Sequence, residues 1–252
     1  LAVGATVLIV GFVPTWLLLV RRPEDLGFNI DGIAHPKAGI EPSETTLAAA
    51  HAAPTPEPAF TRTQAMRTPA FWMLSAFTLL VYPIQAGVSL HQAPLLIERG
   101  LDVTVAATAV STFSLVSAIT GFAYGFWPKR IGLRFALVLV GLLLGSAALA
   151  MHEVHSTLMA YGAAALFGCG IGGMLTILPI AWADFFGRRS YGAIRGAALT
   201  VQVASQAAGP LIAGALRDYT GTYNASLATF AVFGFASAAV ALLARPPKPL
   251  SA

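Results

Sequence analysis

Seven stretches of the 252-residue chain are apolar over about twenty residues and carry no charge in their middle. A helix of about twenty apolar residues crosses a hydrocarbon core of about 30 Å. Because these runs are continuous rather than alternating, they predict membrane-spanning α-helices and not a membrane β-barrel. We name them segments A to G: Leu1–Val20, Ala70–Ile97, Thr104–Trp127, Leu133–Met151, Leu158–Trp182, Ile194–Leu216 and Asn224–Ala244. The predicted fold class is an all-α polytopic membrane protein with seven transmembrane helices.

Composition supports lipid as the solvent for most of the chain. Hydrophobic residues make up 56% of it and charged residues 10%, whereas soluble domains are about 25% charged. The net charge of +4 is spread between the apolar runs, so we expect membrane lipid and no nucleic acid as a partner. The one cysteine, Cys169, excludes an internal disulfide and a Cys-based zinc site.

One long polar stretch separates segments A and B. It is rich in Pro, Ala, Ser and Glu and has too little apolar surface to fold by itself. We therefore predict a transmembrane helix over 1–20, a mostly disordered cytoplasmic linker over 21–69, a six-helix unit over 70–244 and a cytoplasmic tail over 245–252. The linker ends with Thr61 and Gln64 at capping-box spacing, and Thr68-Pro69 is typical of a helix start. Because Leu1 already lies in an apolar run, we expect the chain to be part of a longer protein.

The distribution of basic residues predicts the orientation. With the linker in the cytoplasm, 13 of the 15 Lys and Arg residues are cytoplasmic, and only Arg99 and Arg217 are outside. In this count Arg195 belongs to the loop between segments E and F. We therefore expect a multi-pass protein of the cell membrane, plasma or inner, with its C-terminus in the cytoplasm.

Polar side chains within the segments predict a substrate pathway, because lipid does not favour them. In segment B, Tyr82, Gln85, Ser89 and Gln92 follow steps of three, four and three and share one helix face. The other candidates are His91, Ser111, Gln202 and Gln206. The alternative is that these groups hydrogen-bond between packed helices, an interaction worth about 0.6–2 kcal/mol.

His91 is the only histidine within a predicted span and could hold a proton near neutral pH. Its alternative is a packed histidine or one that lines the mouth of the pathway. The sequence His152-Glu153-Val154-His155 lacks the spacing of a metalloprotease motif. We expect no catalytic residue, no metal site and no cofactor.

Three stretches resemble the major facilitator superfamily. RRPEDLGFNIDG (21–32) with TQAMRTPAFWML (63–74) resembles the central loop and seventh-helix start of monocarboxylate and oxalate–formate type members. GFWPKRIGLR (125–134) is similar to the family's cytoplasmic loop signature. The third stretch is ADFFGRRSYGAIRG (183–196) with GPLIAGALRDYTGTY (209–223). The resemblance covers nearly the whole chain, as the sixth to twelfth helices of a twelve-helix fold.

The resemblance implies a C-terminal transporter half that packs against a missing N-terminal half and works by rocker-switch alternating access. Segments B, C, E and F would line the pathway, and D and G would be peripheral. The cytoplasmic gating loop would comprise Gly125, Lys129, Arg130, Gly132 and Arg134, although Lys129 stands where the signature has an acid. Oxalate–formate type members also present basic residues in the eighth and eleventh helices. With Arg195 assigned to a loop, segments C and F lack them, which favours a monocarboxylate or another small polar solute.

We therefore interpret the chain as a secondary transporter, an antiporter or symporter, of a small organic solute such as a monocarboxylate or other organic anion. A coupling proton or an exchanged anion would be its further partner. The alternatives are a seven-helix receptor or sensor, which matches the count of spans, and a membrane-embedded enzyme. The enzyme would need a carboxylate cluster or a Ser/His pair at membrane depth, and the sequence shows neither.

Overall fold

Long helices dominate the computed structural model, which describes residues 12–13, 60–126 and 132–247. From Arg62 onward they form one compact unit, and no strand occurs among the described residues. The helices are α1 (Arg62–Met66), α2 (Pro69–Glu98), α3 (Val103–Phe126), α4 (Leu133–His152), α5 (Thr157–Phe186), α6 (Tyr191–Thr220) and α7 (Asn224–Leu243). Six of them, α2 to α7, are long and apolar enough to cross a membrane. The predicted all-α membrane fold is confirmed.

Segments B to G correspond to α2 to α7, whereas segment A and most of the linker lie outside the described residues. The predicted helix ends agree closely with the observed ones except in α5 and α6. Helix α5 continues past Trp182 to Phe186, because Phe185 and Phe186 are buried in an aromatic cluster with Phe60 and Phe71. Helix α6 extends beyond segment F at both ends, so Arg195, the second residue of segment F, lies more than one turn inside the helix.

The predicted helix starts near residue 61 are confirmed. The Thr61 hydroxyl accepts from the backbone N–H of Gln64, and the Gln64 side chain accepts from the backbone N–H of Thr61. At the next helix, the Thr68 hydroxyl accepts from the N–H of Phe71, and Pro69 occupies the first helical position. These caps satisfy N–H groups that have no partner within the helix.

Each long helix packs mainly against one or two others. In spatial order, α6 lies against α2, α2 against α7, α7 against α4, α4 against α5, and α5 against α3. The helices at the two ends of this order, α3 and α6, bury the smallest share of their spans. Glycines set several of these contacts. A Cβ on Gly234 of α7 would lie 2.3 Å from the backbone nitrogen of Gly145 in α4, so the two backbones touch directly.

Helices α2 and α6 also meet backbone to backbone. A Cβ on Gly209 of α6 would lie 2.4 Å from the Pro83 carbonyl oxygen and 2.9 Å from the Gly87 nitrogen. Both groups belong to the main chain of α2 and cannot rotate away. The absence of a side chain at Gly209 is therefore what allows α2 and α6 to approach at this depth.

We predict that Gly209→Ala lowers the free energy of unfolding by about 1–3 kcal/mol, because the new methyl group forces α2 and α6 apart. The measurement is the thermal unfolding midpoint of the purified protein. Gly214→Ala is the matched control in the same helix, since nothing lies within 4 Å of its Cβ position. Equal midpoints for the two variants would contradict the close α2–α6 contact.

Candidate functional site

The glutamines of α2 and α6 meet across the helix interface. Gln206 Nε2 donates to Gln85 Oε1 at 3.2 Å, and both side chains are half-buried. They lie beside the close contact at Gly209, which brings the two backbones near enough for the side chains to bond. The predicted polar faces of segments B and F are therefore turned toward each other.

An arginine lies inside α6 next to these amides. Arg195 is half-buried, and its Nη2 donates to Gln202 Oε1 two turns further along the helix. Its guanidinium also interacts with the hydroxyl of Tyr82, a side chain 4% exposed. The assignment of Arg195 to the loop before segment F was wrong, because α6 begins four residues earlier, at Tyr191.

Arg195 retains an unused hydrogen-bond donor. Its Nη1 is buried and has no hydrogen-bond partner among the described residues. Nor does any described carboxylate form an ion pair with it. We call the group the arginine cluster: Tyr82, Gln85, Arg195, Gln202 and Gln206. It combines one uncompensated positive charge with amide and hydroxyl groups, which is the chemistry that binds a small anion.

The other predicted pathway residues lie away from the arginine cluster or are bonded locally. Ser89 is half-buried on α2. Ser111 on α3 is exposed, and its hydroxyl donates to the carbonyl of Ala107 at 3.2 Å within the same helix. Ser and Thr in helices often satisfy themselves in this way. In the part of the chain that the structure describes, Ser111 is not joined to the arginine cluster.

His91 and Gln92 lie further along α2, at a small cavity between α2, α6 and α7. His91 Nδ1 lies 3.1 Å from the hydroxyl of Tyr223. Gln92 is 1% exposed. His91 Nε2 and Gln92 Oε1 are both buried without a hydrogen-bond partner among the described residues. We call this space the histidine cavity; its lining also includes Ala213, Ser226 and Phe230.

A cluster of charged residues that sequence reasoning missed lies at the same end of the bundle. Arg99 donates to the carbonyl oxygens of Met151 and Val154 at 2.6 and 3.1 Å and to Asn224 Oδ1 at 2.9 Å. Burial lowers the pKa of Arg99 below its usual value. Segment hydropathy does not reveal these residues, because they follow or precede the apolar runs.

A cleft of about 450 Å³ opens among these groups. We call it the charged cleft; it is lined by Leu95, Glu98, Arg99, His152, Glu153, His155, Thr222, Tyr223 and Asn224. Arg217 lies 3.4 Å from Glu98 and 5.8 Å from the ring centre of Tyr223. A hydrogen bond from His152 at 2.7 Å lowers the pKa of Glu153, and burial raises that of Tyr223. Among the described residues, no group of three or more metal-ligating side chains forms a metal site.

The predicted gating loop is described in part. Gly125 lies exposed in the last turn of α3, and Gly132, with a φ of +83°, precedes α4. Lys129 and Arg130 lie outside the described residues. Arg134 donates to the carbonyl of Leu242 near the end of α7, so it ties α4 to α7 and satisfies a terminal carbonyl.

A family model ties this helical bundle to known proteins. The model of the Major Facilitator Superfamily matches residues 84–252, two thirds of the chain. The chain belongs to the major facilitator superfamily. It is therefore an integral multi-pass membrane protein and a transporter, and small molecules are the substrates of this family. A comparison with curated proteins finds no match.

For this transporter we predict measurable coupling between Gln85 and Gln206. Each single change to Leu leaves the other amide unpaired, whereas the double variant removes both partners. The double-mutant cycle should therefore give a coupling free energy of about 0.6–2 kcal/mol. The measurement is thermal or denaturant unfolding of the four purified proteins.

Ser111→Ala is the control for this cycle. Its hydroxyl bonds within its own helix, so its removal should leave stability nearly unchanged. Additive effects of the two glutamine changes would mean that the amide pair does not form in the membrane.

Proposed function

We propose that this chain is the C-terminal half of a secondary active transporter of small organic anions, of the monocarboxylate class. The observation that carries this proposal is the Nη1 of Arg195, which lies beside Tyr82 and Gln202 and is buried without a hydrogen-bond partner among the described residues. A guanidinium inside a membrane span is costly unless an opposite charge or strong acceptors meet it. A bound carboxylate would supply both.

The charge of the arginine cluster favours a singly charged substrate. A guanidinium binds a carboxylate through parallel N–H groups, and hydrogen bonds that involve charged groups are about twice as strong as neutral ones. The Tyr82 hydroxyl and the amides of Gln85 and Gln206 could hydrogen-bond a further polar group of the solute. The resemblance to oxalate–formate type members implies basic residues in the eighth and eleventh helices. Helix α6 carries Arg195 and α3 carries none, which supports a monocarboxylate over a dicarboxylate.

The exposed faces of α3 and α6 support a second half. These two helices bury the smallest share of their spans, and α3 exposes Thr108, Ser111 and Ser114. A face that mixes hydroxyls with apolar residues suits a protein or aqueous surface better than lipid. We propose that an N-terminal half faces α3 and α6 across the substrate pathway. Rocking of the two halves would then expose the arginine cluster to each side of the membrane in turn.

Transport would be driven by a coupling proton or by exchange for a second anion, as symport or antiport. We place the protein in the cell membrane with its C-terminus in the cytoplasm, because 12 of the 14 basic residues other than Arg195 then lie on the cytoplasmic side. In this orientation the arginine cluster lies toward the cytoplasm, and the charged cleft lies at the outer surface.

We predict that Arg195→Gln lowers uptake of a labelled monocarboxylate by about tenfold or more, because a hydrogen bond to a charged partner is worth about 1.5–3 kcal/mol. Arg195→Lys should retain part of the activity, since it keeps the charge but loses the planar donors. The measurement is uptake into proteoliposomes that contain the complete transporter, over a panel of monocarboxylates and dicarboxylates.

Arg189→Gln is the matched control, because it removes the same charge from the exposed turn that precedes α6. Its uptake should remain within about twofold of wild type, since exposed charges contribute little. If Arg195→Gln transports as well as Arg189→Gln, the arginine cluster is not the substrate site.

The proposed orientation predicts the labelling of single cysteines in a Cys169→Ala background. Arg189→Cys should react with a membrane-impermeant maleimide only after the cytoplasmic face is opened. His155→Cys, which is also exposed, should react in intact cells. The reverse pattern would overturn the assignment of the C-terminus to the cytoplasm.

A further inference from the structure

The histidine cavity holds two polar atoms that lack hydrogen-bond partners among the described residues. It has room for about one water molecule, some 10 Å³. His91 Nε2 and Gln92 Oε1 are both buried and unpartnered among the described residues. Each such atom costs free energy unless a bound water, a ligand or a change of protonation satisfies it.

Tyr223 separates the histidine cavity from the charged cleft. Tyr223 and Leu95 line both spaces. The Tyr223 hydroxyl lies 3.1 Å from His91 Nδ1. It therefore joins His91 to a residue that lines the cleft. A phenol can accept one proton while it gives up another, which makes this hydroxyl a suitable relay.

We propose that His91 is a proton-binding site that is filled from the charged cleft through Tyr223. In the neutral state the ring is assigned the Nε2–H tautomer, with Nδ1 accepting from the Tyr223 hydroxyl. A proton from cleft water binds the Tyr223 oxygen as the original hydroxyl proton moves to Nδ1, which leaves Tyr223 neutral and the imidazole positively charged. Nε2–H then donates to Gln92 Oε1 through one water in the histidine cavity.

Charged residues from several helices surround His91 and Tyr223, so proton binding at His91 would act on them. At the end of α2, Glu98 and Arg99 line the cleft; from α6, Arg217 and Asp218 lie near Tyr223. The end of α4 and the loop after it contribute His152, Glu153 and His155 to the cleft, and α7 has no charged residue. A protonated His91 would repel Arg217 and attract Glu98. Proton binding therefore acts on the ion pair that joins the ends of α2 and α6.

This inference rests on the proposed transport function, for which His91 would supply the coupling-proton site. It has a test that needs no substrate. The complete protein, with ¹⁵N-labelled histidine, is placed in lipid nanodiscs, and the ring nitrogens are followed by NMR between pH 8 and pH 5. His91→Gln identifies the His91 signals among those of the other histidines.

We expect His91 to change from the Nε2–H tautomer to the doubly protonated ring within this range. Gln92→Leu should shift the Nε2 signal of His91, because the ring loses the acceptor that it reaches through water. Tyr223→Phe should slow proton exchange at His91 by more than tenfold relative to Tyr219→Phe, since the relay is lost. Tyr219 is the control because it is 90% exposed in a neighbouring turn.

Two results would overturn the inference. The first is a His91 ring that stays neutral down to pH 5. The second is Tyr223→Phe exchanging protons at the rate of Tyr219→Phe. If Gln92→Leu does not fold, the comparison of Tyr223→Phe with Tyr219→Phe still tests the inference. Arg195→Gln should leave the His91 signals unchanged, so loss of monocarboxylate uptake and failure of the proton site are distinguished by separate measurements.

Discussion

Direct backbone contact at glycine is the interaction on which this bundle depends. In lipid no hydrophobic effect drives helices together, so dispersion contacts and interhelical hydrogen bonds must hold them. Gly234 against Gly145 joins α7 to α4, and Gly209 against Pro83 joins α6 to α2. The second contact has a chemical consequence. It holds two helix faces so close that the Gln85 and Gln206 amides reach each other.

Much of the fold was predictable because the membrane imposes a length and a polarity on each helix. The six spans in the described residues, the caps at Thr61 and Thr68 and the polar face of α2 all follow from local sequence. Hydropathy does not predict a helix end whose position depends on packing against other helices. Helix α5 runs on to Phe186 because that ring packs against Phe60 and Phe71, residues distant in sequence.

The same limit explains what was missed at the candidate site. Counting Arg195 as a loop residue follows from the charge rule for membrane segments, but the rule ignores that a long side chain can turn along its helix to reach Gln202. Tyr223 stands just before α7 and gives no periodic signal, although an aromatic ring with a polar tip at a span end is a known cue. In α2, Tyr82 interacts with Arg195 and His91 contacts Tyr223. These partners depend on which helices pack against α2, and residue spacing does not predict that packing.

Arg99 ties three separate parts of the chain together, and this bears on how the protein is assembled. Its guanidinium bonds the end of α4 through Met151, the loop after α4 through Val154, and the start of α7 through Asn224. During synthesis α2 enters the membrane long before α7 exists. The end of α2 therefore carries a half-buried cation that is only partly hydrogen-bonded until the last helix is inserted. Assembly of this bundle is complete only with its C-terminal helix, and a nascent chain that stops short of Asn224 would present an unsatisfied arginine to the quality-control machinery of the membrane.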